Sequence, residues 1–178
     1  MKKLVLLLTL LFFILIKTHA PMPFDNISKQ ETTLNRMKIN VIKLLPFTMD
    51  NFVTYLTLIN ADHKEIMIRQ AILETKYFDS NIFRQNHNLF GMNMPEKRQT
   101  TAIEKKNGFA VYNHWTSSID DYIILQKLWK ILRPEIYSDG YEVIRLARYA
   151  ENPYYIRLLK LIKIPKYDRT STTESTGI

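Results

Sequence analysis

The sequence predicts a single, mainly helical domain that carries a small β-hairpin. Apolar residues recur at helical spacing in several segments after residue 48, and helix start and stop signals bound those segments. Strand-forming residues flank Asn107-Gly108, a dipeptide typical of tight hairpin turns. The 178 residues include no cysteine, which excludes disulfides and thiol nucleophiles.

The first 20 residues have the pattern of a secretory signal peptide. Lys2 and Lys3 precede the apolar run Leu4–Ile16, and Ala20 offers a small residue for cleavage. These 13 residues, apolar except for Thr9, span about 20 Å as a helix, which is short for a bilayer core of about 30 Å. An uncleaved anchor is the alternative, and it would be the chain's one membrane attachment. Either way we expect export, to the periplasm, the cell envelope or the exterior.

The charge favours polyanionic partners without naming one. The formal net charge is +8, and three of the 25 basic residues lie in the leader, so the remainder carries 22 basic against 17 acidic residues, or +5. Bacterial wall polymers, nucleic acid and anionic lipid would all suit such a charge. No basic run is longer than Lys105-Lys106 and no nucleic-acid motif is present, so we expect no nucleic-acid partner.

Composition divides the remaining chain into three parts. Residues 21–47 form a lead-in that Pro21 and Pro23 predict to start extended, with a short strand or helix between Met37 and Leu45. Residues 48–165 form the domain. The Thr- and Ser-rich residues 166–178 are predicted to be a flexible tail. We expect a monomer.

The start and stop signals place five helices in the domain. Thr48 caps one to about Leu58, and Asp62 or His63 opens another that carries Glu74. Phe78 to Asn88 is predicted as loop. The three remaining helices are as follows: Ser117–Arg133, opened by a capping-box pattern in which Asp120 and Asp121 are acids of the first turn; Tyr141–Ala150; and Asn152–Ile162, started by Asn152-Pro153. Strands at Thr100–Ile103 and Phe109–Tyr112 make the hairpin, with Lys105-Lys106 in its loop.

Glu74 is the leading catalytic candidate. Met67, Gln70 and Ala71 precede it at spacings of seven, four and three, so they share its helix face. This face is largely apolar, and burial raises the pKa of a carboxyl group. An acid that stays protonated near neutral pH can donate a proton to a leaving oxygen, as glycoside cleavage requires. The alternative is a solvated residue in a last helical turn.

Three ordered blocks of sequence resemble the glucosaminidase family, glycoside hydrolase family 73, whose members cleave peptidoglycan. The blocks are Gln70–Thr75 with Ser80 and Asn88–Gly91, then Phe109–Trp115 with Ser118–Tyr122, and finally Tyr149–Tyr155. The resemblance covers roughly residues 48–162. It implies a lysozyme-like α+β fold, in which a substrate groove lies between the helical part and the hairpin lobe.

The resemblance also implies an activity: hydrolysis of the β-1,4 bond after N-acetylglucosamine in peptidoglycan glycan strands, without metal or organic cofactor and without amidase activity. Glu74 falls on the family's first catalytic glutamate. A second carboxylate would come from the hairpin region, where Glu104 is favoured over Glu96; otherwise the substrate's acetamido group could assist. Tyr155 falls on a functional tyrosine of the family, with Tyr149 as the alternative.

The same resemblance names residues for substrate binding: Asn88, Phe90, Gly91, Tyr112, Trp115 and Tyr149. For Phe90, Trp115 and the two tyrosines near residue 150, packing in the core is the competing interpretation. Four histidines, at positions 19, 63, 87 and 114, have no metal-ligand spacing, so no metal site is predicted.

Two alternative functions remain open at this stage. A wall-binding or assembly module could keep the groove without turnover, because the second carboxylate is unsettled. A muramidase would cleave the same glycan on the other side, at N-acetylmuramic acid.

Overall fold

The computed structural model describes the backbone of residues 24–165, and burial and side-chain contacts from residue 30 onward. The predicted leader (1–20) and tail (166–178) lie outside the described residues. The chain divides into two compact units, residues 1–38 and 39–178. No helix among the described residues is long and apolar enough to cross a membrane.

Seven helices and one two-stranded antiparallel sheet make up the described part of the chain. In chain order they are α1 (Phe24–Ile42), α2 (Met49–Leu58), α3 (Lys64–Glu74), α4 (Asn81–Asn86), β1 (Glu104–Lys106), β2 (Phe109–Val111), α5 (Trp115–Leu132), α6 (Gly140–Leu146) and α7 (Tyr155–Leu161). This is the mainly helical fold with a small hairpin that the sequence predicts. Helix α1 occupies most of the predicted lead-in and covers the larger part of the stretch from Met37 to Leu45 that is predicted as a short strand or helix, whereas Pro21 and Pro23, which predict an extended start, lie outside the described residues.

The first helices of the second unit begin where the sequence predicts. The Thr48 hydroxyl accepts a hydrogen bond from the Asn51 amide at 3.0 Å and so caps α2. His63, in the left-handed region at φ 52°, precedes α3 without a side-chain cap. Helix α3 ends at Glu74. The prediction of loop from residue 78 to 88 is wrong over Asn81–Asn86, because the Ser80 hydroxyl caps α4 by accepting from the Phe83 amide.

The hairpin forms around the predicted turn but with a shifted first strand. Asn107 and Gly108 have positive φ, 52° and 89°, and Lys106 pairs with Phe109, which is a two-residue turn. The first strand is therefore Glu104–Lys106, and Lys105-Lys106 belong to it rather than to the loop. On its other edge, β2 forms a bridge between Phe109 and Asn93.

The later helix starts differ from the predictions. The His114 side chain caps α5 through the Thr116 amide, so the capping box at Ser117 is not used, and Asp120 and Asp121 lie beyond the first turn. Helix α6 ends at Leu146 because Arg148 adopts positive φ. Helix α7 starts at Tyr155, and Asn152 instead accepts from the Tyr154 amide ahead of the helix.

A core of large side chains joins α2, α3, α5 and the hairpin. Its fully buried members include Phe52, Tyr55, Leu56, Met67, Ile72, Leu89, Phe90, Tyr112, Trp115, Ile119 and Tyr122. The α3 face predicted to be buried is indeed in this core, since Met67, Gln70 and Ala71 have no exposed surface. Burial of this face fixes the direction of the helix that ends at Glu74.

Asn88 ties the segment after α4 to the hairpin. Its side chain is 1% exposed; Nδ2 donates to the Met92 and Ala110 carbonyls, and Oδ1 accepts from the Phe90 and Met92 amides. All four of these hydrogen bonds join the side-chain amide of Asn88 to backbone groups.

Replacing Asn88 by Ala should therefore destabilise the protein. The buried backbone groups would lose their partners, and we expect a loss of about 3 kcal/mol in the free energy of unfolding. The exposed Asn113→Ala variant is the matched control and should change it by less than about 0.5 kcal/mol. Urea unfolding followed by circular dichroism measures both. Equal effects would contradict this role for Asn88.

Candidate active site

Glu74 lies at the wall of an open cavity of about 380 Å³. The cavity is bounded by the end of α3, the segment from residue 90 to 98, α5 and the loop before α7. Its lining residues are Glu74, Phe90, Gly91, Met92, Asn93, Met94, Pro95, Arg98, Leu125, Tyr149 and Ala150. Glu74 is the one carboxylic acid among these lining residues, so acid chemistry in this cavity depends on it.

Burial raises the pKa of Glu74 above its ordinary value. The opposing effect comes from Tyr155, whose hydroxyl donates a hydrogen bond of 2.5 Å to Glu74 Oε1 and lowers the pKa by stabilising the charged form. The burial effect is the larger, so the net shift is upward. The side chain is only half-buried, which leaves it accessible from the cavity.

Tyr155 connects Glu74 to two further buried groups. Gln70 lies one turn before Glu74 on α3, and its Nε2 atom is 3.4 Å from the Tyr155 hydroxyl. The Tyr122 hydroxyl on α5 donates to Gln70 Oε1 at 2.5 Å. Burial raises the pKa of Tyr155 and Tyr122 far above the usual tyrosine value, so both remain protonated donors.

Gly91 brings the backbone against the carboxyl group of Glu74. Its φ is +63°, a conformation that favours glycine, and a Cβ atom there would lie 3.0 Å from Glu74 Oε2. The sequence predicts close approach of the chain to a ligand at this position. The structure shows close approach to the candidate acid itself.

Tyr149 lines the cavity and holds the part of its wall formed by Phe90. Its hydroxyl donates to the Phe90 carbonyl at 2.6 Å, which joins the loop before α7 to the segment before the hairpin. Its ring lies 6.0 Å from the ring of Tyr155. Both predicted tyrosines therefore lie beside Glu74, and Tyr155 is the one that contacts its carboxylate.

The structure does not bring Glu104 into this cavity. Glu104 is exposed in β1, opposite Val111, and is not among the lining residues. Glu96 is also exposed and does not line the cavity, although its neighbours Pro95 and Arg98 do. The arrangement thus contains one carboxylic acid where a pair was expected.

Four of the predicted substrate-binding residues have side chains that pack in the core or bond to other groups of the protein. Asn88 bonds the backbone as described, and Phe90 is fully buried and stacks on Tyr122 with ring centroids 4.4 Å apart. The buried Tyr112 donates to Asp121, and the buried Trp115 donates its indole N–H to the Leu45 carbonyl. The interpretation of these rings as core is the one that the geometry favours; Phe90 still forms part of the cavity wall.

Arg98 and Asp121 form a buried ion pair at this site that the sequence did not indicate. Two Arg98 nitrogens donate to Asp121 at 2.5 and 3.2 Å, and the Tyr112 hydroxyl donates to the same carboxylate at 2.7 Å. Asp121 has no exposed surface. The prediction of Asp121 as an acid of the first helical turn is wrong, because α5 begins two residues earlier than Ser117 and its first turn ends before Asp121. Only the pattern of buried residues along α5 could have shown that Asp121 is buried.

No group of three or more histidine, aspartate or glutamate side chains in the described residues could hold a metal ion.

The raised pKa of Glu74 predicts a pH-dependent effect of Glu74→Gln on stability. A carboxyl group whose folded pKa exceeds the unfolded one stabilises fully below the unfolded pKa, and that contribution is lost as pH rises through the folded pKa. Glu74→Gln should thus gain in melting temperature relative to wild type as the pH rises above about 4, the ordinary glutamate pKa. The exposed Glu135→Gln variant is the control. If the difference in melting temperature between Glu74→Gln and wild type stays constant with pH, the raised pKa of Glu74 is contradicted.

A protein-family model matches residues 52–167, well over half of the chain. The matching family is Glucosaminidase, described as mannosyl-glycoprotein endo-beta-N-acetylglucosaminidase. Comparisons with curated proteins and with solved structures give no significant match. The matched range contains α3, the hairpin, α5 and the Tyr149–Tyr155 segment, and so includes the whole cavity around Glu74. The chain therefore belongs to the glucosaminidase family, as a lysozyme-like glycoside hydrolase with endo-β-N-acetylglucosaminidase activity on peptidoglycan.

Proposed function

We propose that Glu74 is the general acid of this reaction. The observation that carries the proposal is a half-buried carboxyl group with raised pKa at the wall of an open cavity, held by a tyrosine hydroxyl. In the first step its proton passes to the glycosidic oxygen while the bond between that oxygen and the anomeric carbon breaks. The resulting Glu74 carboxylate then accepts a proton from the attacking water.

The second catalytic group is proposed to be the substrate's own acetamido group. Its carbonyl oxygen would bond to the anomeric carbon as the leaving oxygen departs, and water would later displace it. The support is that Glu74 is the one carboxylic acid lining the cavity, whereas Glu104 is exposed on β1. Glu104 as the second carboxylate is the competing proposal, and it would require the hairpin to move toward the bound glycan.

Tyr155 is proposed to hold Glu74 in place and to become the neighbour of the bound sugar ring, while Tyr149 and Gly91 shape the cavity wall. Arg98 is the one lining residue with a positive charge. Export to the bacterial cell envelope is proposed from the leader pattern in residues 1–20 together with the family's wall substrate.

Replacing Glu74 by Gln should abolish most of the activity. Loss of a general acid lowers kcat by about 10²- to 10⁴-fold, and the measurement is release of reducing sugar from purified peptidoglycan. Wild-type activity in Glu74→Gln would overturn the acid assignment.

The wild-type products identify the bond that is cleaved. Mass spectrometry should show N-acetylglucosamine at the new reducing end; muramic acid there would indicate a muramidase. Sacculus binding by wild type without soluble products would indicate a binding module.

The activity of Glu104→Gln separates the two proposals for the second group. Assistance by the acetamido group leaves Glu104→Gln with nearly full activity and retains the anomeric configuration. A loss of about 100-fold in Glu104→Gln would instead establish the two-carboxylate scheme, in which an inverted product assigns Glu104 as the base that activates water and a retained product assigns it as the nucleophile.

Gly91→Ala should reduce activity more than its effect on stability explains. Alanine at φ +63° costs about 1 kcal/mol in the backbone, and its methyl carbon would lie 3.0 Å from Glu74 Oε2 and displace that oxygen. Gly108→Ala is the matched control: it has positive φ as well, at +89°, but no atom within 4 Å of the added carbon. We expect both variants to melt a few degrees lower and only Gly91→Ala to lose about tenfold or more in kcat. Equal activities would contradict the contact.

A further inference from the structure

A directional chain of three hydrogen bonds ends at Glu74. The Tyr122 hydroxyl is 2.5 Å from Gln70 Oε1, Gln70 Nε2 is 3.4 Å from the Tyr155 hydroxyl, and that hydroxyl is 2.5 Å from Glu74 Oε1. The first two links are buried, since Gln70 and Tyr122 have essentially no exposed surface, and the third reaches the half-buried Glu74 at the cavity. The chain joins α5, α3 and α7.

The first link determines which way the Gln70 amide faces. A contact of 2.5 Å fits an O–H···O bond and is too short for an N–H···O bond, so the carbonyl oxygen of the amide faces Tyr122. Stacking of Tyr122 on Phe90 fixes the ring and therefore the position of this hydroxyl. The amide nitrogen must then face Tyr155.

The directions of the other two hydrogen bonds follow from which groups can donate and which can accept. The amide nitrogen of Gln70 has protons and no acceptor capacity, so Tyr155 can only accept from it. The single Tyr155 proton is thereby directed to Glu74 Oε1, the other partner of that hydroxyl. With Oε1 accepting, the proton of the neutral acid is left to Oε2, the oxygen that lies against Gly91 in the cavity wall.

We propose that Gln70 and Tyr122 are positioning residues that direct this chain, so that the transferable proton of Glu74 resides on Oε2, the oxygen at the cavity. The inference rests on the proposed role of Glu74 as general acid. Neither positioning residue lines the cavity. Their effect reaches the reaction through the orientation of the Tyr155 proton.

Loss of the Tyr122 hydroxyl should release the amide. Gln70 could then turn its carbonyl oxygen toward Tyr155, which would donate to it instead of to Glu74. Since that donated bond lowers the pKa of Glu74, its loss raises the pKa, and the basic limb of the kcat/KM profile moves to higher pH. The other ionisable groups around this carboxyl are Tyr149 and, in the same cavity, Arg98, and neither is altered by the substitution.

The test compares Tyr122→Phe with the control Tyr55→Phe. Tyr55 is equally buried and donates to Asp120 at 2.7 Å, outside the chain that ends at Glu74. Each variant is assayed on peptidoglycan and on an aryl β-glycoside of an N-acetylglucosamine oligomer, whose phenolate leaving group needs no proton. Melting curves report the structural effect of each change.

We expect Tyr122→Phe to lower kcat on peptidoglycan by about three- to tenfold and to shift the basic limb upward by about half a pH unit. On the aryl glycoside its kcat should change by less than about twofold, because protonation is not needed there. Tyr55→Phe should move neither the limb nor the ratio of the two activities. Gln70→Met, which removes both ends of the amide, should repeat the Tyr122→Phe pattern and replaces that variant if it does not fold.

Equal losses on both substrates with an unmoved limb would show a purely structural role and overturn the inference, as would unchanged activity on both. Glu74→Gln is measured in the same series. If it retains activity on peptidoglycan, the proposed acid itself is wrong; if it is inactive there while Tyr122→Phe and Gln70→Met behave like wild type, the acid stands and only the directional chain fails.

Discussion

The hydrogen bond between Tyr155 and Glu74 is the interaction on which the site depends. It joins the last residue of α3 to the first residue of α7, two elements separated by 81 positions in the chain. The carboxyl group gains a donor without gaining a charged neighbour. A cation at the same place would hold the acid ionised, whereas a neutral phenol orients it and leaves burial as the larger influence.

The remainder of the cavity is held by side chains that bond the backbone and by one ion pair. Asn88 fixes the turn that leads to Gly91, Tyr149 holds the Phe90 carbonyl, and the buried Arg98–Asp121 pair anchors the end of the lining segment. An ion pair buried in this way adds little net stability, but loss of one partner would leave an uncompensated charge. Its contribution is thus better understood as fixing a loop that contains no regular secondary structure of its own.

The fold and the buried helix face below Glu74 were predictable from the sequence because both depend on local signals, while the role of Glu74 as the acid stays a prediction. The spacing of Met67, Gln70 and Ala71 identified the buried face of α3, and Asn107-Gly108 identified the hairpin turn. Positions that depend on distant partners were not predictable, since the buried position of Asp121 depends on its pairing with Arg98. The hydrogen bonds of Asn88 and Trp115 likewise depend on which backbone carbonyls lie within reach after folding. The start of α5 differs for a local reason, because the His114 side chain caps it in place of the predicted capping box. Glu104 remains a prediction whose test is kinetic.

Glu74 lies at the carboxyl-terminal end of a helix, and this placement has its own electrostatic consequence. Peptide dipoles aligned along α3 sum to a partial negative charge at that end, which disfavours a second negative charge within the last turn. The backbone therefore supports the neutral acid independently of the side chains around it. Substitutions in the cavity wall can change the position or orientation of the Glu74 proton. The effect of the α3 dipole, which favours the protonated carboxyl group, would remain in such variants.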